Sequence, residues 1–261
     1  MQHRWQRNAA VTAAALLLVS ACAASGSGQA KPAPPSMTKV MWLDFEQATA
    51  PLDAGARIAS AIATGPGGDV DLAGAVPQPL RLVTGRDNKG HGVEFPNPCP
   101  PTPHPTCAKA IIEVDDDVAL NPGVNDYAWG ASVLLSAKQT SAGSNILQKG
   151  FSLGGGSQWK LQVDGTNGHP SCVVVGVGES TIHEVYADST VADGRWHDVV
   201  CHRAGAQLSI RIDSAAAKST VIPKTLSISP AGPVRIGGKS LKPNNDQYFG
   251  TLDDIFVETA R

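Results

Sequence analysis

The 261-residue sequence predicts an all-β domain, an antiparallel β-sandwich of two sheets or a jelly roll, behind a short leader. Three observations carry this. Beyond residue 37 the chain has almost no 3.6-residue apolar periodicity, and instead a long series of short runs rich in Val, Ile, Leu, Trp and Phe. Those runs are separated by turn chemistry such as "GPGGD", "DGTNG" and "KPNND". Strands without helices must bury their apolar faces on one another, which means two packed sheets. The 42% apolar content suffices for one sizeable core, and no repeat of solenoid or propeller period is present.

The leader comes first. Arg4 and Arg7 precede the apolar run from Ala9 to Val19, too short to span a bilayer, so residues 1–21 are predicted to be a signal peptide. The run closes on Val19-Ser20-Ala21-Cys22, which resembles the bacterial lipoprotein signal, whose cysteine is lipidated after cleavage. Ordinary cleavage after small residues would leave Cys22 incidental. Residues 22–37 are Gly/Ser-rich and then Pro-rich, the composition of a flexible tether. The folded domain is expected over 38–261, outside the cell or on its surface, with membrane contact only through the lipid.

Strands are predicted in order over 39–45, 57–63, 92–95, 110–114, 127–135, 145–149, 159–163, 171–177, 183–186, 196–203, 207–212, 234–236 and 248–257, each an apolar or β-branched run closed by turn residues. The stretch "DGRWHDVVCHR" needs a closer look, since two histidines, acids and a cysteine crowd into it. Asp193-Gly194 is a turn that launches the strand. Alternation puts Trp196, Asp198, Val200 and His202 on one face and His197, Val199, Cys201 and Arg203 on the other. The histidines point apart, which weakens a metal or proton-relay reading, and Trp196 is the expected core anchor.

Export also governs the cysteines, because disulfides persist outside the cytoplasm. Four cysteines beyond Cys22 allow three pairings. Proximity favours Cys99 with Cys107, closing "CPPTPHPTC", which leaves Cys172 with Cys201. Zinc is disfavoured by the lack of a C-x-x-C pair. Setting aside Arg4 and Arg7 takes the net charge from −2 to −4, and the lysines and arginines are scattered, which argues against nucleic acid as a partner.

The succession "VMWLDFE", "GHGVEF", "YAWGASVLL", "WKLQVDG", "VADGRWHDVVCHRAGAQLSIRID", "VRIGG" and "YFGTLDDIFV" resembles a laminin G-like domain of the concanavalin A-like lectin and glucanase superfamily. The resemblance covers essentially the whole mature domain. It implies a jelly roll of one convex and one concave sheet that binds glycans or extracellular proteins, often with calcium, and that sometimes serves as an enzyme.

The site residues must choose among these functions. Glucanases of the superfamily carry Glu-x-Asp-x-x-Glu on one strand, but Glu113-Val114-Asp115-Asp116-Asp117 lacks the closing Glu. No Gln-x-His lyase pair and no G-x-S-x-G elbow occurs. The resemblance implies a structural calcium near the last strand, where Asp253 matches an acid of the family and Asp44 on the opening strand is its neighbour. Alternation turns Asp253 toward the core with Ile255 and Val257, and a buried carboxylate needs a partner; hydrogen bonds from a neighbouring strand or loop are the other reading. Rim acids Asp87, Asp164 and Asp246 are candidates for a second calcium. For sugar stacking, Trp42, Trp129 and Trp196 look like core, while Trp159 and Tyr248 lie nearer loops and are the ligand-binding candidates. The leading expectation is a non-catalytic recognition domain for a glycan or an extracellular protein. A polysaccharide-acting enzyme and a structural envelope module are the alternatives.

Overall fold

The computed structural model describes residues 36–99 and 106–260. The expectations for the signal peptide, Cys22 and most of the tether lie outside the described residues.

Sixteen strands form two antiparallel sheets among the described residues. The first sheet contains β1 (Met37–Leu43), β4 (Arg81–Thr84), β5 (His91–Glu94), β7 (Tyr127–Ser136), β12 (Asp193–Ala204), β13 (Gln207–Ile212), β14 (Lys218–Val221) and β16 (Thr251–Ala260). Its order is β14-β13-β12-β7-β16-β5-β4, with β1 paired to β16. The second contains β2 (Arg57–Ile58), β3 (Gly68–Ala73), β6 (Lys109–Val114), β8 (Gly143–Gly150), β9 (Gln158–Asp164), β10 (His169–Val175), β11 (His183–Tyr186) and β15 (Val234–Ile236), ordered β11-β10-β9-β8-β15-β6-β3-β2.

The inner faces follow from period-2 alternation. On β7, Tyr127, Trp129, Ala131, Val133 and Leu135 all enter the core, and from β9 Trp159, Leu161 and Val163 meet them. Tyr127 stacks on Trp129 with ring centroids 4.7 Å apart, and Trp129 lies 6.0 Å from Trp159. Cys172 on β10 is bonded to Cys201 on β12, so this disulfide crosses from one sheet to the other. Cys99 is bonded to Cys107, closing the Pro-rich loop. Both pairings are those favoured by proximity.

Three strands escaped the sequence: β3, β4 and β14. In β3 the glycines of "GPGGD" read as turn, yet Gly68 already pairs with Val114, and Val70 is buried between Asp69 and Asp71. Gly68 has no room for a side chain, since a Cβ would lie 2.8 Å from Ile112 Cγ2. The strand predicted over 57–63 shrinks to two residues, and the last strand begins at Thr251 rather than at 248.

Candidate functional site

Register shifts interrupt three strand pairings of the first sheet, and its outer face is richer in aromatics than expected. Between Lys39 and Met41 the β1 register shifts, so Val40 and Met41 are both buried and Trp42 turns outward. On β12 the predicted alternation holds, but the core lies on the other side: Val199, Cys201 and Arg203 are buried and Trp196 is on the outer face, only partly covered. Trp42 and Trp196 are therefore not core residues. Conversely, Trp159 and Tyr248 are fully buried and cannot stack on a ligand. Their polar atoms are spent inside, Trp159 Nε1 donating to the Leu120 carbonyl at 3.1 Å and the Tyr248 hydroxyl to those of Leu134 and Thr251, both at 3.2 Å.

A single transverse row now spans the outer face. Arg211 pairs with Val200, Val200 with Gly130, Gly130 with Phe256, and Phe256 with Trp42. Gly130 sits at the middle because a Cβ there would lie 2.9 Å from the Phe256 ring and 2.5 Å from the Val199 carbonyl oxygen. Its absence lets the Phe256 ring lie low across β7. The row floors a groove of about 520 Å³. Lys39 places its ammonium 3.8 Å from the Trp42 ring centroid, a cation–π contact that covers one face of the indole with a flexible side chain. Asp198, Ser132 and Glu258 supply polar edges, and the Arg86 guanidinium is held by Asp198.

At one end the groove runs into an acidic cleft of about 450 Å³ lined by Asp44, Glu46, Asp87, Asp253 and Asp254. Asp253 does not point into the sandwich. A second bulge, between Asp253 and Phe256 with Asp254 in the left-handed region at φ 47°, flips the alternation, so Asp253 shares the face of Ser132. It is buried instead beneath the loop from Gly85 to Gly90, with 5% of its surface exposed. One oxygen accepts the Arg86 N–H at 3.0 Å and the other the Asp254 N–H at 2.7 Å. Burial pushes its carboxyl up to about 6, against those two hydrogen bonds and with help from the Asp254 and Glu46 charges.

Carboxylates line the cleft beside Arg86 and Lys89, the oxygen chemistry a hard cation takes, although both Asp253 oxygens already accept main-chain N–H groups. A Cβ on Gly85 would meet the Lys89 carbonyl oxygen at 2.5 Å and Asp253 Oδ2 at 2.7 Å, so glycine is what lets the loop pack this closely onto the Asp253 carboxylate. Asp44, the expected neighbour, lines the same cleft, though its Oδ1 accepts the Glu46 N–H at 3.2 Å. Among the described residues no three His, Cys, Asp or Glu side chains form a ready-made cage. The rim acids do not gather: Asp87 is in the cleft, while Asp164 holds Ser171 and Gln162, and Asp246 holds Lys239, all on the other sheet or its loops.

The remaining candidates sit apart. Glu113 lies on the outer face of β6, held by Arg235 at 2.6 Å, and Asp115 follows the strand end, paired with Arg57. His197 is bracketed by Asp213 at 2.8 Å and Asp193 at 3.0 Å. Burial lowers its pKa, but the two carboxylates outweigh that and raise it.

The family model described as the concanavalin A-like lectin/glucanases superfamily, a laminin G model, matches residues 113–259, more than half of the chain. The chain belongs to this laminin G family. No curated protein matches the sequence significantly. The laminin G-like domain is also similar in structure to the binding domain of botulinum neurotoxin DC solved in complex with SialylT (TM-score 0.56, 11% identity) and with rat synaptotagmin II (TM-score 0.57, 11% identity). A third similar structure is described as "Cell entry of botulinum neurotoxin type C is dependent upon interaction with two ganglioside molecules" (TM-score 0.57, 10% identity). These matches cover 84 to 85% of this chain and 47 to 48% of theirs, so the chain spans about half the length of those structures. At such identities the likeness is one of fold.

Proposed function

We propose that the laminin G-like domain is the non-catalytic recognition module of an exported protein, binding an extracellular glycan along the groove on the outer face of the first sheet. The observation that carries this is the row Trp42, Phe256, Gly130, Val200 and Arg211: two aromatic faces for sugar C–H surfaces, a shallow glycine dip and an arginine at the end. A calcium ion held by Asp253 and Asp44, with main-chain carbonyls of the adjoining loop, would neutralise the cleft and supply a positive charge at the end of the groove. Two disulfides support an oxidising compartment. The neighbouring structures bound to SialylT and to synaptotagmin II make a glycan or a protein the natural classes of ligand for this fold.

The enzyme reading has little to build on, since Glu113 and Asp115 are each neutralised by an arginine and belong to separate ion pairs. A glycan array probed with the purified domain, with and without calcium, tests the reading. Binding lost in a Trp42→Ala variant supports it. Silence on the array, with no rise in melting temperature on adding sugars, would shift the function to a protein partner.

A further inference from the structure

Nine large apolar side chains stand exposed among the described residues, and seven of them cluster at one end of the sandwich. Six belong to the loops that leave β6, β8 and β10: Val118 and Val124, Phe151 and Leu153, Val177 and Ile182, with Leu153 and Val118 at 85% and 83% exposure. Val221, at the end of β14, is the seventh. Antiparallel pairing brings all these loops to the same pole, and hydrogen bonds join them. Gly178 N–H donates to the Gly155 carbonyl at 3.1 Å and Val177 N–H to Ser227 at 2.8 Å, while Gly123 and Ile228 exchange bonds of 2.8 Å. The apolar tips thus form one crown rather than scattered singles.

Three of the four crown segments are nearly free of charge. Segments 151–157, 176–182 and 222–233 hold only Glu179 and Lys224 between them. The acids of the fourth loop are engaged: Asp115 with Arg57, Asp116 with the buried Lys149, Asp117 with the Ala119 N–H, and Asp126 with the Gly205 N–H. A protein monomer rarely concentrates its exposed apolar side chains in this way without a surface to receive them.

The place where the chain enters the fold points to that surface. Met37 pairs with Ala260, whose N–H donates to the Asp126 carbonyl at 2.8 Å, so the chain enters the fold at the crown's pole, by the loop that carries Val124. The preceding 35 residues contain the apolar run from Ala9 to Val19 and Cys22. We propose that the crown seats the domain on a lipid bilayer, its Phe, Leu and Val tips entering the boundary between headgroups and acyl chains by about 5–10 Å. The proposal rests on the export-and-anchor reading of the leader, and attributes to the folded domain itself a second, weaker membrane contact. The near-absence of lysine and arginine on these tips makes this contact hydrophobic, with no requirement for anionic lipid. In this pose the acidic cleft, at the opposite end of β16 from Ala260, faces away from the membrane.

The test uses the full chain, with tryptophan introduced at the crown (Leu153→Trp) or at the opposite pole (Val76→Trp), each at an exposed position. The chains are mixed with phosphatidylcholine vesicles whose acyl chains carry bromine, a contact quencher, and emission is compared with that of the unsubstituted chain. The expected result is co-flotation in which the fluorescence added by Leu153→Trp is quenched at least about twofold more than that added by Val76→Trp, equally in 0.1 and 1 M salt. Flotation without quenching of the Leu153→Trp signal overturns the crown and leaves the anchor standing. Failure of the full chain to float overturns both. Blue-shifted emission from the Leu153→Trp chain in lipid-free solution, with doubled hydrodynamic mass, would assign the crown to a second copy of the chain and overturn the membrane pose.

Discussion

Trp42 and Phe256 lie directly opposite one another across the β1–β16 ladder, both on the outer face, with the Lys39 ammonium 3.8 and 5.7 Å from their ring centroids. Trp42 donates its Nε1 hydrogen to Asp254 at 3.1 Å, which ties the groove to the acidic cleft. Replacing Trp42 by Ala is expected to weaken glycan binding at least about tenfold, or about 1.4 kcal/mol, with a smaller loss of stability than a core tryptophan because the residue is only partly buried. Trp129→Ala, in the core, should cost about 3–5 kcal/mol and abolish folding before binding can be read. Titration calorimetry and thermal melts of the two variants separate the roles.

Asp253 should make the domain pH-sensitive in a defined direction. Its folded pKa, about 6, lies above the ordinary carboxylate value because burial disfavours the charge. The associated stability is therefore fully present below about pH 4 and is lost as pH rises through 6. Calcium reverses the trend, since it binds the ionised form. The melting temperature in EDTA should fall between about pH 4 and pH 6, calcium should restore it above that window, and Asp253→Asn should remove the calcium effect. Identical melts with calcium and EDTA at neutral pH would end the cation reading.

His197 titrates with the same sign, higher on the pH scale. Both ring nitrogens face carboxylate oxygens, an arrangement satisfied in full only when both carry protons. Its raised pKa means that the stability is complete below the ordinary histidine value, near about 6.5, and declines as pH rises through the folded value. His197→Ala should lose roughly 1–3 kcal/mol at about pH 6 and less at about pH 9, measurable by denaturant midpoints at the two pH values.

The two disulfides should differ in effect. Removing Cys172–Cys201, which spans 29 residues and joins the sheets, is expected to cost about 3–4 kcal/mol; opening Cys99–Cys107, eight residues apart, should cost less. Paired Cys→Ala variants in thermal melts check the ranking.

Much of the fold was legible because period 2 and turn chemistry are local signals. The strands at 183–186, 207–212 and 234–236 have the predicted bounds, and the faces of β12 alternate as read. What was not legible turns on bulges. One extra residue in β1 sent Trp42 outward, and a shift in β16 turned Asp253 away from the core; neither carries a glycine or proline to announce it. Phe256 was within reach, since alternation already set it opposite Ile255 and Val257. Trp196 failed for a different reason: alternation divides a strand into two faces, but only the partner sheet decides which is inside, and here Cys201, tied to Cys172, settles it.

The pairing of β1 has a mechanical consequence. Tension carried along residues 22–36 would enter the fold at Met37 and act on a strand whose ladder is with β16. Fraying of that strand from its entering end frees Met37 first, and the sixth residue it frees is Trp42. The strand by which the chain enters the fold is thus also the strand that carries Trp42, so a pull strong enough to unzip β1 would dismantle the proposed ligand platform before the sandwich itself opened.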